Sequence, residues 1–174
     1  MKVKVTPSKV HGNVKIPASK SMAHRALICA SLSDGTSLVS NVTNSKDIEA
    51  TVGCMKALGA IIKQIDETTY EVTGTNLFKQ EGSITCNANE SGSTLRFLIP
   101  LAACTNAKVK FLGQGRLLQR PMDVYENEFK EQNIEFNQSD KEIIVHGNLQ
   151  AKDYVVQGDI SSQFITGFMF VLPL

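Results

Sequence analysis

An internal repeat constrains this chain more than any other feature. Ser19, Ser91 and Ser161 each open a short polar loop leading into a strongly apolar stretch, at a spacing of about 70 residues. The order strand, loop, helix, strand, helix, hairpin recurs around them. In the first copy the pattern predicts a strand at Val14–Ile16, a helix over Met22–Leu32 and a strand over Thr36–Val42. A second helix starts at Ser45-Lys-Asp-Ile, capped by Asn44 or Ser45, and runs to Leu58 with Gly59 at its end. Ile61–Ile65 and Thr69–Val72 read as a hairpin. The second copy repeats this with strands at Ser83–Cys86 and Lys108–Leu112, helices at Thr94–Ala103 and Met122–Gln132, and a hairpin of Ile134–Asn137 with Glu142–Val145. A third copy has a strand at Tyr154–Gln157 and a helix over Gln163–Leu172. The copies cover residues 14–82, 83–150 and 151–174, the last incomplete. Leu174 lies inside an apolar helical pattern, so the chain is expected to be the N-terminal piece of a longer protein.

The first helix of each copy is apolar nearly all round, as in Leu95-Arg-Phe-Leu-Ile-Pro-Leu-Ala-Ala103. Such helices are buried. The strands Lys108–Leu112 and Glu142–His146 alternate, so one of their faces meets solvent. The expected fold class is therefore α/β: repeated βαβαββ units, incomplete here, with helices packed inside a coat of sheets.

Charge narrows the function. Eighteen Lys and Arg against 17 Asp and Glu leave a net charge of +1. That balance argues against a nucleic-acid partner bound through bulk positive charge. Met1–Pro7 alternates like a strand and lacks the apolar core of a signal peptide. No apolar run reaches the roughly 18 residues of a membrane span. Cys29, Cys54, Cys86 and Cys104 form no C-x-x-C pair, which disfavours zinc. Three of them have apolar neighbours and read as reduced thiols. A cytoplasmic location without a membrane partner is expected.

The basic residues are unevenly chosen. Only Arg25, Arg96, Arg116 and Arg120 are arginines, and all four fall where a loop meets a helix. Ser19-Lys20-Ser21, Ser91-Gly92-Ser93-Thr94 and Ser161-Ser162-Gln163 stand before helix N-termini, where free N–H groups and the helix dipole suit an anion. Plain N-capping is the alternative for any one of them. Arg25 follows Ser21 by four residues and Arg96 follows Gly92 by four, which places each on its loop's side of the helix. Structural salt bridges are the alternative for these arginines. Gly113-Gln-Gly-Arg-Leu-Leu-Gln-Arg-Pro121 lacks the third glycine and immediate helix of a dinucleotide site and reads as a turn presenting two arginines. Asp47, Glu90, Asp123 and Asp159 are the candidate acids nearby; Asp47 and Asp123 also suit helix starts for structural reasons. His24 reads as packing or capping, and His11 and His146 lack a motif.

Ile16-Pro-Ala-Ser-Lys-Ser-Met-Ala-His-Arg-Ala26, Asn89-Glu-Ser-Gly-Ser-Thr-Leu-Arg96, the 113–121 segment and Gly158-Asp-Ile-Ser-Ser-Gln-Phe164 resemble the N-terminal part of the 5-enolpyruvylshikimate-3-phosphate synthases, over essentially the whole chain. The sister UDP-N-acetylglucosamine enolpyruvyl transferases are the nearest alternative. They usually have Lys-Asn in the first loop and a cysteine in an arginine-flanked loop; here Lys20-Ser21 stands in the former and residues 113–121 hold no cysteine. A non-catalytic module for small anions is the competing class.

The resemblance implies an inside-out α/β fold in two domains. Residues 1–13 would form a first strand of the other domain, and 14–174 most of one substrate-binding domain. It implies transfer of the enolpyruvyl group from phosphoenolpyruvate to the 5-hydroxyl of shikimate 3-phosphate, without cofactor or metal, by an enzyme monomeric at full length. Lys20 would be catalytic and touch both substrates. Ser21, Arg25, Ser161 and Ser162 would hold shikimate 3-phosphate. Gly92, Arg96 and Arg120 would shape the phosphoenolpyruvate site, with Gln163 at the shared wall and Asp47 near the cleft. The family's acid–base residues would lie in a C-terminal half. Two departures stand out: Glu90-Ser-Gly-Ser93 where many members have Asn-Ala-Gly-Thr, and His24 where Asn is common.

Overall fold

A computed structural model describes residues 3–9 and 11–174. Its regular elements are α1 (Lys20–Leu32), β1 (Thr36–Val39), α2 (Lys46–Ala57), β2 (Ile61–Gln64), β3 (Tyr70–Thr73), β4 (Ser83–Asn87), α3 (Gly92–Ala102), β5 (Lys108–Leu112), α4 (Asp123–Glu131), β6 (Glu135–Gln138), β7 (Ile143–His146) and α5 (Ser162–Val171). Single 3-10 turns cover Leu77–Lys79 and Leu117–Gln119.

The local rules of the sequence account for the ends of these helices. Ser19, Ser45, Ser91 and Ser161 cap α1, α2, α3 and α5, each accepting a bond from a main-chain N–H of the first turn. After α2 the chain turns at Gly59, whose φ of 102° suits glycine.

The two complete copies build two sheets of matching topology. In the first, β3 lies between β1 and β2, antiparallel to both. In the second, β7 likewise lies between β5 and β6, and β4 adds parallel to β5 at the edge. Helix α3 is the crossover that makes this parallel pairing possible.

Helix α3 is buried from Thr94 to Ala102 except at Arg96. It packs against α1, α2 and α5. Its neighbours depart from the expectation of all-round burial. Helix α1 exposes Met22 (62%) and Cys29, and α5 exposes Met169 (62%), with Leu172 (59%) just past its end. Those faces have no sheet over them among the described residues. Among the described residues the coat of sheets therefore covers one side of the helices and closes no barrel. No described helix is long and apolar enough to cross a membrane. All four cysteines are free, with Cys54, Cys86 and Cys104 buried as expected.

Three predicted strands are absent. Val14–Ile16 is exposed and unpaired, although the equivalent position in the second copy is β4. Tyr154–Gln157 is likewise irregular. Of the segment 1–13, Met1, Lys2 and Val10 lie outside the described residues and the rest forms no strand. A strand is defined by its neighbour's hydrogen bonds, and these segments lie beside no sheet edge that takes them up.

Phe111 is fully buried on β5, which lies between β4 and β7. Phe111→Ala is expected to lower stability by about 3–5 kcal/mol, read from urea unfolding.

Candidate anion-binding site

The three serine loops converge because the three helices behind them pack side by side. Arg25 projects from the second turn of α1. Its guanidinium donates to the carbonyl (2.8 Å) and hydroxyl (2.7 Å) of Ser21 and to the hydroxyl of Thr166 on α5 (3.3 Å). It also lies 5.0 Å from the centre of the Phe97 ring on α3. One arginine thus touches all three helices. Arg96 makes the complementary link. It donates to Gln163 Oε1 at 2.8 Å and lies over the Phe164 ring at 5.1 Å. Gln163 in turn donates to Ser93 Oγ at 2.8 Å, which ties the third loop to the second.

Arg120 arrives from the 113–121 segment and lies directly over Gly92, where a methyl group would overlap its guanidinium. Glycine here leaves room for the guanidinium in this position, and no positive φ calls for it. Burial and the charge of Arg120 both pull the Arg96 pKa below its ordinary value. A guanidinium stays protonated even so. Two positive groups are therefore held close together, and Arg96 Nε is buried with no partner among the described residues.

None of the four arginines is in a salt bridge among the described residues; every ion pair there uses a lysine. The structural salt-bridge alternative fails on that count. Arg25 and Arg96 instead lean on neutral hydroxyls, an amide and aromatic faces, which hold a guanidinium without cancelling its charge.

Lys20 pairs with Asp47 at 2.5 Å while remaining 55% exposed. Ser162 is exposed at the start of α5, and Ser161 spends its oxygen on capping Gln163 N but keeps its O–H free to donate. Capping thus accounts for Ser19, Ser91 and Ser161, and the remaining groups carry the cationic character. Arg116 is exposed and its side chain makes no hydrogen bond or ion pair among the described residues, so only one of the two turn arginines joins the cluster. The side chains of Asp123 and Asp159 are exposed and form no such bond either. Glu90 and Asp47 line a separate cleft of about 460 Å³ with Lys46, Glu49, Asn89 and Gln114. Three carboxylates against one lysine make that cleft unsuited to an anion. Among the described residues no group of three or more His, Cys, Asp and Glu is gathered as a metal site needs.

Beneath the loops runs a buried polar chain that sequence reasoning missed. His24 Nδ1 meets Thr51 Oγ1 at 2.7 Å, Thr51 meets Thr94 at 2.7 Å, and Thr94 donates to Ser91 Oγ at 2.7 Å. With Thr94 donating to Ser91, Thr51 donates to Thr94 and His24 carries its proton on Nδ1. His24 Nε2 is then a buried acceptor without a partner. The chain links α1, α2 and α3 at the level of the loops. Nothing in the sequence marks Thr51, because its role depends on helix contacts 27 and 43 residues away, and Thr94 is marked only as part of the second loop and not as its partner.

The EPSP synthase (3-phosphoshikimate 1-carboxyvinyltransferase) family model matches residues 4–174. Proteins named 3-phosphoshikimate 1-carboxyvinyltransferase are similar over nearly the whole chain. That of Clostridium perfringens (strain SM101 / Type A) is 47% identical over 99% of this chain and 41% of its own length. That of Clostridioides difficile (strain 630) is 45% identical over 98% of this chain and 41% of its own length. The chain thus spans about two fifths of the curated relatives it matches. Among solved structures, an EPSP synthase from Acinetobacter baumannii superposes with a TM-score of 0.77 over 91% of this chain and 38% of that chain, at 18% identity. The fold is shared at that distance.

Two outcomes follow from the geometry. Gly92→Ala is expected to leave stability within about 0.5 kcal/mol, because the overlapped atoms are the far end of a flexible side chain. It is expected to move the Arg120 Nε–H signal in a heteronuclear NMR spectrum. His24 is held neutral by burial, at a pKa of about 4, with Lys20 and Arg25 adding to the depression and Asp47 opposing it. The unfolded chain protonates His24 near 6.5 and the folded one near 4. Its contribution to stability is therefore full above pH 6.5 and is lost as pH falls toward 4. The melting temperature of His24→Gln is expected to fall less steeply over that interval than that of the parent chain.

Proposed function

The chain belongs to the EPSP synthase family, and on that premise we propose that it supplies one wall of a cleft that transfers the enolpyruvyl group of phosphoenolpyruvate to the 5-hydroxyl of shikimate 3-phosphate. Residues 14–174 are most of one substrate-binding domain, and 1–13 belong to the other. The reading rests chiefly on one observation: at the N-terminal turns of three helices that pack together, Arg96 and Arg120 lie close to each other and Arg25 bridges α1 to α5, none with a carboxylate partner among the described residues. Such groups suit small, multiply charged acids, because planar guanidinium forks pair with phosphate and carboxylate oxygens.

In this assignment Ser21, Arg25, Ser161 and Ser162 hold the phosphate and ring hydroxyls of shikimate 3-phosphate. Arg96 and Arg120, packed against Gly92, take the phosphoenolpyruvate anion. Gln163 bridges the two subsites through its bonds to Arg96 and Ser93. Lys20 lies between the substrates and is the catalytic cation, with Asp47 holding its ammonium until substrate arrives. The complete enzyme works as a cytoplasmic monomer.

Isothermal calorimetry with shikimate 3-phosphate tests this. The chain is expected to bind it weakly, and Arg25→Ala to lower the affinity about ten- to hundredfold, as losing a charged hydrogen-bond donor does. Equal affinity in the variant would remove the assignment of Arg25. The chain alone is expected to give no turnover, since one wall provides no closure around the substrates.

A further inference from the structure

Helix α3 carries a proline in its interior, Pro100. A proline in that position has no N–H, so the carbonyl four residues earlier loses its helical partner. That carbonyl belongs to Arg96. In a buried helix it cannot turn to water instead, and a buried carbonyl without a partner is costly.

The partner comes from another helix. Tyr125, on α4, donates its hydroxyl to the Arg96 carbonyl at 2.6 Å and lies 3.4 Å from the Phe164 carbonyl on α5. The Tyr125 side chain is fully buried, edge-on to Phe164 and Phe168 and stacked on Phe129. Burial pushes its phenol pKa upward, so it remains a donor. The hydroxyl fits only because residue 167 is glycine. A Cβ there would overlap the hydroxyl and approach the Arg96 carbonyl and the Pro100 ring. Pro100 on α3, Tyr125 on α4 and Gly167 on α5 therefore form one unit in which each residue requires the others.

We propose that Tyr125 is a positioning residue for the anion site: its hydroxyl replaces the helical bond that Pro100 removes and so fixes Arg96 against Gln163 and Phe164. The bond is made to the main chain of the arginine itself. A small rotation of α3 would swing the guanidinium off the Phe164 ring and away from Gln163. Phenylalanine would fill the same volume, so the hydroxyl is not required for packing alone. This rests on the reading of Arg96 as an anion ligand.

The test is a cycle of Tyr125→Phe, Pro100→Ala and the double variant, with Arg96→Ala as a reference. Two quantities are read on each folded chain: the Arg96 Nε–H signal without ligand, and the dissociation constant for phosphoenolpyruvate by NMR titration. Tyr125→Phe is expected to move the Arg96 signal and weaken binding about three- to tenfold, as loss of one hydrogen bond does. Affinity for shikimate 3-phosphate is expected to stay within twofold, which a general loss of structure would not spare. In the Pro100→Ala background the restored main-chain N–H at that position takes the carbonyl, so Tyr125→Phe changes both quantities by less than twofold. If Tyr125→Phe alone does not fold, a folded double variant supports the coupling and an unfolded one overturns it. Equal effects in both backgrounds, or an unmoved Arg96 signal in Tyr125→Phe, also overturn it. If Arg96→Ala leaves phosphoenolpyruvate binding unchanged, the ligand reading fails, while the Arg96 signal still decides whether Tyr125 holds the helix.

Discussion

Helix α3 packs against α1, α2 and α5 at once, and the geometry of the three loops follows from that packing. Its apolar faces leave one polar projection, Arg96, among residues that are otherwise buried from Thr94 to Ala102. Every neighbour approaches so as to bury its own apolar side and keep its N-terminal turn beside the N-terminal turn of α3. The hydrogen bonds between loops, Arg25 to Thr166, Arg96 to Gln163 and Gln163 to Ser93, follow from that alignment. They are individually modest and depend on apolar burial to bring their partners within reach.

The electrostatics rest on a division of labour between the two basic residue types. Lysines neutralise carboxylates over the surface, as Lys63 does with Glu71 and Lys108 with Glu135. Such exposed pairs contribute little to stability. Arg25 and Arg96 are held by hydroxyls, an amide and aromatic faces, so their charge is not cancelled. A net charge of +1 conceals this local excess. Lys20 is the one site lysine, and its pairing with Asp47 joins the start of α1 to the start of α2.

The repeat made most of the fold legible. Most of the predicted segments lie within a residue or two of an observed element, because serine caps, glycine stops and alternation are local signals that the chain obeys locally. Val14–Ile16 and Tyr154–Gln157 were not legible, since an extended segment becomes a strand only where another backbone accepts its hydrogen bonds. The open faces of α1 and α5 have a similar origin: all-round hydrophobicity says that a helix wants cover, not which side receives it. Within the site, Arg25, Arg96, Gly92 and Gln163 could be picked out by their place in the repeat. Thr51, Thr166 and Tyr125 could not, because each matters through a partner far away in sequence, and Ser93 and Thr94, though marked as part of the second loop, gave no sign of their partners Gln163 and Thr51.

Sequence alone determined the helix, strand, helix, hairpin order, the serine caps that start α1, α2, α3 and α5, the placement of arginines at loop–helix junctions and the family to which these motifs point. These are properties of local spacing and residue type. Tertiary structure decided which of those groups meet. Arg120 reaches Gly92 while the Arg116 side chain makes no hydrogen bond or ion pair among the described residues, and the carbonyl that Pro100 leaves unbonded is taken by Tyr125 where Gly167 makes room. Contacts of that kind are set by how three helices share one buried volume, and nothing in the spacing of a single helix encodes them.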